Sequence, residues 1–279
     1  MTSTDLYRIR DFVPDFDAIA AEFVNRSQAF SAKADILADM RYGSRAREVL
    51  DIILPKGLQA GAPLHVFVHG GYWRSGEKEH YRFVATPVLE AGGVAAIVEY
   101  DLMPDMRLDV LVDQVRRSVL WLQHHAGDFG ADPHKLTVSG HSAGAHLASF
   151  LAARGPAETV TPTLPAIKGL LLVSGIYDLS DIPNSFLRNE AKVTSSEAAD
   201  WSPLLSQQLS CPRRILAFGE QETSPFHQQA AAFNVRLCAE DHASELLSLP
   251  DCNHMNVVLD LADPARRLGA RLTELVLSD

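Results

Sequence analysis

Leu136-Thr137-Val138-Ser139-Gly140-His141-Ser142-Ala143-Gly144-Ala145-His146-Leu147 is the stretch on which the fold turns. Its first four residues read as an apolar strand, and the segment from Ser142 to Ala153 is rich in Ala and Leu, as a helix is. The Gly-His-Ser-Ala-Gly turn therefore falls at a strand-to-helix junction, which is the setting this motif requires. A serine on so tight a turn is presented at the carboxyl edge of a sheet, near the positive end of the following helix. The glycines on both flanks leave room for neighbouring backbone. Ser142 is the expected nucleophile.

Outward from this turn, apolar runs of strand length alternate with longer helix-patterned stretches from about residue 47 onward, the signature of βαβ units and a mostly parallel sheet. Strands are expected at Glu48 to Leu54, Leu64 to His69, Val94 to Tyr100, Lys135 to Ser139, Gly169 to Ser174, Arg214 to Phe218 and Glu245 to Leu249. Several are almost entirely apolar, as they should be where helices cover both sheet faces. Helices are expected over Lys78 to Ala91, Leu108 to His125, Ser142 to Ala153, Phe226 to Cys238 and Asn256 to Leu277. Residues 1–45 carry a weaker helical pattern through Phe16, Ile19, Ala20, Phe23 and Val24, and read as an N-terminal helical extension packing over the sheet or over a site. Residues 175–212 mix Asp, Ser, Asn and Pro with Phe186, Leu187 and Trp201, and read as a small cap-like insertion. The whole of 1–279 is expected to be one α/β domain.

Composition agrees with that class and narrows the partners. A chain of 279 residues with 47% hydrophobic and 22% charged residues is that of a globular protein, unlike a disordered or fibrous one. The formal net charge of −10 repels phosphate backbones and anionic lipid surfaces. Cys211, Cys238 and Cys252 are odd in number and widely spaced, which suggests neither a disulfide framework nor a structural zinc site. No apolar run approaches the roughly 20 residues that span a bilayer, and Met1-Thr2-Ser3-Thr4-Asp5-Leu6 lacks a basic, then apolar, leader pattern. The expectation is a cytoplasmic protein without metal or cofactor, with a small-molecule acyl amide or ester as its partner. Nucleic acid and membrane are not expected as partners, and a homodimer is left open.

A serine hydroxyl is a poor nucleophile at neutral pH and needs a histidine to take its proton and a carboxylate to orient that histidine. In sheets that carry such an elbow the chain order is nucleophile, acid, histidine. His146, His227 and His242 lie in or beside helices, whereas His254 follows the last strand in Pro250-Asp251-Cys252-Asn253-His254 and is the candidate base. The acid is expected after Arg214 to Phe218, where Gly219-Glu220-Gln221-Glu222 offers Glu222 first and Glu220 second; Asp251 sits only three residues before His254 on the same loop. His69-Gly70-Gly71-Tyr72-Trp73 follows the strand Leu64-His65-Val66-Phe67-Val68, so its glycine pair can turn backbone N–H groups toward the elbow. Gly71, Tyr72 and Ala143, with Gly70 allowing the turn, are the candidate oxyanion hole. Tyr72, Trp73 and His141 are candidate substrate-binding residues, joined by Phe186 or Trp201 from the cap.

With these pieces assembled, the chain resembles the arylformamidase (kynurenine formamidase) branch of the α/β-hydrolases, near the hormone-sensitive-lipase-like esterases. The resemblance covers residues 40 to 275. It runs through Tyr42-Gly43, Leu50-Asp51-Ile52-Ile53-Leu54-Pro55, the His-Gly-Gly-x-Trp pattern at His69 to Trp73, and the elbow continuing Ala145-His146-Leu147. Ser174-Gly175-Ile176-Tyr177-Asp178-Leu179 and Ser202-Pro203 also look like segments of that branch. It implies an α/β-hydrolase fold and hydrolysis of an aryl formamide such as N-formylkynurenine to kynurenine and formate. A carboxylesterase, thioesterase or other aryl-amidase is the alternative, and a non-catalytic ligand-binding member of the fold a further one. The branch usually carries Asp where Glu222 stands, with Phe226 and Gln229 at the matching offsets.

Overall fold

A computed structural model describes residues 4–160, 162–209 and 212–278. Met1 to Ser3 and Cys211, both used above, lie outside the described residues. Eight strands form one sheet: β1 (Asp35–Arg41), β2 (Val49–Leu54), β3 (Ala62–Val68), β4 (Val94–Val98), β5 (Ala131–His141), β6 (Gly169–Val173), β7 (Arg213–Gly219) and β8 (Ser244–Leu249), in the order β1-β2-β4-β3-β5-β6-β7-β8. The pairs β1/β2 and β2/β4 are antiparallel, and every pair from β4 to β8 is parallel. The helices are α1 (Phe16–Ser31), α2 (Thr86–Glu90), α3 (Leu108–His125), α4 (Ala143–Ser149), α5 (Leu187–Glu190), α6 (Ser195–Asp200), α7 (Ser224–Ala239), α8 (Val257–Leu261) and α9 (Arg267–Val276). None among the described residues is long and apolar enough to cross a membrane.

The near-continuous apolar strands are explained by a helical layer on each face. Alternate residues of a strand point to opposite sides: Leu170 and Leu172 of β6 enter the layer built with α3, α4 and α7, while Leu171 and Val173 enter the one built with α2, α8 and α9. All four are fully buried, and each contributes about 1.5–3 kcal/mol by leaving water. Leu108, Leu111, Val112, Val115, Val119 and Leu122 form the buried stripe of α3 at the 3–4-residue spacing of one helix face. Truncating Leu171 to Ala would open a cavity at the centre of the sheet, at about 2–5 kcal/mol.

All seven expected strands are present, and three local readings change. Residues 1–45 are not purely helical, because Asp35–Arg41 is an edge strand, largely exposed, with its pairing register broken between Leu37 and Met40. Lys78 to Ala91 divides into a 3-10 segment (Lys78–Ala85) and α2, with Pro87 in the first turn of the second helix, where its missing N–H costs nothing. Asn256 to Leu277 divides at Asp263-Pro264 into α8 and α9, since the ring of Pro264 cannot continue a helix. The Asp260 carboxylate then accepts the Leu268 N–H at 2.8 Å and starts α9. The expected cap contains the short helices α5 and α6 between β6 and β7.

Candidate active site

The elbow is assembled by backbone. Ser142 follows β5 with φ 54° and ψ −119°, a conformation rare for a residue with a side chain, and its N–H donates to Val173 O at 2.8 Å, carrying the β5/β6 pairing one residue past the strand. α4 starts at Ala143, directly beneath the hydroxyl. Gly144 is required by the crossing of α4 with the end of β3, for a Cβ there would stand 2.1 Å from Val68 O and 2.4 Å from His69 O.

Three side chains from three loops meet in a line. His254 Nε2 lies 2.9 Å from Ser142 Oγ, and its Nδ1 lies 2.7 Å from Glu222 Oε2. The other carboxylate oxygen, Oε1, accepts from Ser174 Oγ at 2.6 Å and from the Gly219 N–H at 2.6 Å. Ser142, Glu222 and His254 are all buried, so little water competes for these bonds. The extra methylene of glutamate is accommodated by anchoring the carboxylate at the ends of β6 and β7. Glu220 is exposed and accepts from Ser248 Oγ instead, and Asp251 is exposed. Ser174, at φ 51°, entered the sequence reading only as part of a family-like segment and not as a site residue. The Cys252 thiol is pushed up to about 11 by burial, which keeps it protonated and unreactive at neutral pH.

The loop after β3 closes over the elbow. A Cβ on Gly70 would stand 3.1 Å from Ser142 Cβ, and Gly71 has φ 120°, so this turn passes close to Ser142. The N–H groups of Gly71, Tyr72 and Ala143 have no acceptor among the described residues, as donors awaiting an oxyanion must. His69 fixes the loop from below: its ring stacks on Tyr100 at 4.4 Å, with its nitrogens 2.7 Å from Gly70 O and 2.9 Å from Glu99 Oε1.

A cavity of about 170 Å³ opens over Ser142 and His254. Tyr72 and His141 line it, as expected, together with Phe16, Ala20 and Phe23 of α1, and Tyr81. Trp73 does not. Consecutive positive φ values at Tyr72 and Trp73 swing the indole inward, where it is fully buried and donates to His146 Nδ1 at 3.0 Å. His146 Nε2 in turn donates to Trp201 O at 2.7 Å, and burial depresses its pKa to about 4, keeping the ring neutral. Trp201 packs on Phe150 at 5.2 Å, away from the cavity, and Phe186 reaches it only indirectly, edge-on to Tyr72 at 5.1 Å. The wall assigned to the cap thus comes from the N-terminal helix.

Residues 50–209 match the family model described as BD-FAE. The chain is an α/β-hydrolase of that family. It is 34% identical over 252 residues to a kynurenine formamidase of Salmo salar, covering 88% of this chain and 82% of the relative. A kynurenine formamidase of Danio rerio is 32% identical, with 86% and 82% covered. Esterase B from Lactobacillus rhamnosis shares the fold at a TM-score of 0.72 and 20% identity, over 95% of this chain and 96% of that one. These likenesses place this α/β-hydrolase in the arylformamidase-like branch and make it a serine hydrolase of small amides or esters.

Proposed function

We propose that this hydrolase cleaves aryl formamides, N-formylkynurenine among them, with Ser142 as nucleophile, His254 as general base and acid, and Glu222 as the residue that orients His254. The observation that carries this reading is the unbroken hydrogen-bonded line from Glu222 to Ser142, opening into a small cavity with aromatic walls. His254 takes the Ser142 proton as Oγ attacks the formyl carbon, and the developing oxyanion receives the N–H groups of Gly71, Tyr72 and Ala143. The carbon–nitrogen bond breaks as His254 returns the proton to the leaving aryl amine. Water, deprotonated by the same histidine, then releases formate.

The relatives named kynurenine formamidase supply the substrate class, and the cavity is compatible with it. Its 170 Å³ lies below the roughly 300 Å³ at which ligand pockets usually begin, which favours small substrates over long-chain acyl groups. Phe16, Phe23, Tyr72 and Tyr81 offer faces and edges to an aryl ring. Measuring kcat/KM for N-formylkynurenine against acetyl, butyryl and longer analogues, and against short 4-nitrophenyl esters, tests this. N-formylkynurenine should rank first, with a steep fall beyond acetyl. Esters preferred by orders of magnitude would make the chain a carboxylesterase, and failure of a fluorophosphonate to label Ser142 would remove the nucleophile.

A further inference from the structure

His141, the residue before the nucleophile, has one satisfied nitrogen and one that is not. Nε2 lies 2.9 Å from the carbonyl oxygen of His254, an acceptor only, so the hydrogen of the neutral ring sits on Nε2. Nδ1 is then a bare acceptor, and it is buried without any hydrogen-bond partner. The residue is 3% exposed and lines the cavity over Ser142. Burial, aided by the neighbouring His254, holds its pKa well below the ordinary range, so protonation does not fill the vacancy near neutral pH. A buried acceptor left empty costs free energy unless something else fills it.

The reaction supplies a donor. When the carbon–nitrogen bond breaks, the leaving nitrogen directs its lone pair at the proton carried by His254 Nε2, so its own hydrogen must point elsewhere. The amine departs with two hydrogens, the one it brought and the one that began on Ser142. The His141 ring lies 4.9 Å, centroid to centroid, from the His254 ring, and both residues line the cavity beside Ser142. We propose that His141 Nδ1 accepts the N–H of the scissile amide as the leaving amine is expelled, and so selects amides over esters. An ester oxygen has no hydrogen to offer and would set a lone pair against Nδ1. This role rests on the aryl formamide reading.

The test compares 4-nitroformanilide with 4-nitrophenyl formate, which share acyl group and ring but not the N–H, in the wild type and in His141→Phe. Loss of the tether to the His254 carbonyl acts on both substrates, whereas loss of Nδ1 acts only on the amide. The amide kcat/KM should fall at least about tenfold more than the ester value. Equal falls reduce His141 to a tether and overturn the proposal, leaving the formamidase reading intact. A wild type that cleaves the ester but neither the anilide nor N-formylkynurenine removes both readings. Should His141→Phe not fold, the wild type alone decides: after correction for alkaline reactivity, the anilide should outpace its N-methyl analogue by about tenfold or more, and parity overturns the role.

Discussion

The site has two halves built by different means. The carboxyl edge of the sheet, holding Ser142, Glu222, His254 and the loop after β3, is positioned by backbone: strand pairing, close glycine contacts and rare φ values at Ser142, Ser174, Tyr72 and Trp73. The N-terminal segment that closes the cavity is held by side chains instead: Tyr7, Ile9, Val13 and Phe23 are buried in the core, and single bonds join its first residues to the loops. Tyr72 Oη donates to Tyr7 O at 3.1 Å and accepts from the Ile9 N–H at 3.1 Å; Thr223 Oγ1 donates to Leu6 O at 2.7 Å; Gln229 Nε2 donates to Tyr7 Oη at 3.1 Å; and the Phe186 N–H reaches Asp5 Oδ2 at 2.5 Å. These bonds tie residues 5–9 to the hole loop, the acid loop and the cap at once. Chemistry therefore resides in the rigid half, and shape selection in a layer that individual substitutions can loosen.

The largest effects should come from the rigid half. Ser142→Ala should lower kcat by about 10⁶-fold, measured on N-formylkynurenine. Glu222→Gln is more informative. Oε1 already accepts two donors, Ser174 Oγ and the Gly219 N–H, so the glutamine carbonyl oxygen stays there and its NH₂ faces His254 Nδ1. The imidazole hydrogen is then forced onto Nε2, where it points at Ser142 and cannot accept its proton. A loss of about 10⁴ in kcat with an unchanged melting temperature is expected. A loss under tenfold would sink the assignment of Glu222 as the orienting acid.

Acid should separate the halves next. His65, bonded to Thr137 and Ser139 across β3 and β5, has its pKa lowered by burial to about 3, and His146 to about 4. Their unfolded pKa is near 6.5. Above that value both states are neutral and nothing is lost. Below it the unfolded chain takes up protons that the folded chain refuses, so stability falls from about pH 6.5 down toward these folded values. At pH 5 each of these histidines should have cost about 2 kcal/mol relative to pH 7, read from urea unfolding. His65→Gln should be less stable at pH 7 yet show a shallower slope between pH 7 and 5. Residues 4–31 contain no histidine, so release of the N-terminal segment, read as hydrogen-exchange protection after correction for the pH dependence of intrinsic exchange, should change much less with pH in this range than global stability does.

This division also explains what was legible in the sequence. Seven strands, and the meeting of Ser142, Glu222 and His254 at one edge, could be read because parallel strands buried on both faces leave long apolar runs whose following loops gather at the carboxyl edge of the sheet. β1 was missed because an exposed edge strand such as Asp35-Ile36-Leu37-Ala38-Asp39-Met40-Arg41 has no buried face to impose alternation. Trp73 was misplaced because two successive left-handed residues, neither of them glycine, leave no mark in the sequence. Phe16, Ala20 and Phe23 showed their helical spacing, but whether that face met the sheet or the cavity depended on contacts with residues far along the chain.

The smallest effect should appear at the seam between the halves. Tyr72→Phe keeps the backbone N–H of residue 72, and thus its place in the hole, but removes the hydroxyl that both donates to Tyr7 O and accepts from Ile9 N–H. Burial pushes the Tyr72 hydroxyl up to about 12, so the wild-type residue is a neutral donor at all working pH values. Losing the two bonds should cost about 1–2 kcal/mol, confined to residues 5–13. Amide exchange there should accelerate by about tenfold, with the sheet unchanged. Because the backbone donors stay in place, kcat on N-formylkynurenine should change less than about threefold, while discrimination between formyl and acetyl substrates relaxes as the ring at position 72, no longer tied to residues 7 and 9, gains freedom beside Ser142. If kcat itself collapsed, the N-terminal segment would belong to the catalytic frame, and the division between a rigid chemical half and a loosely stitched selective half would fail.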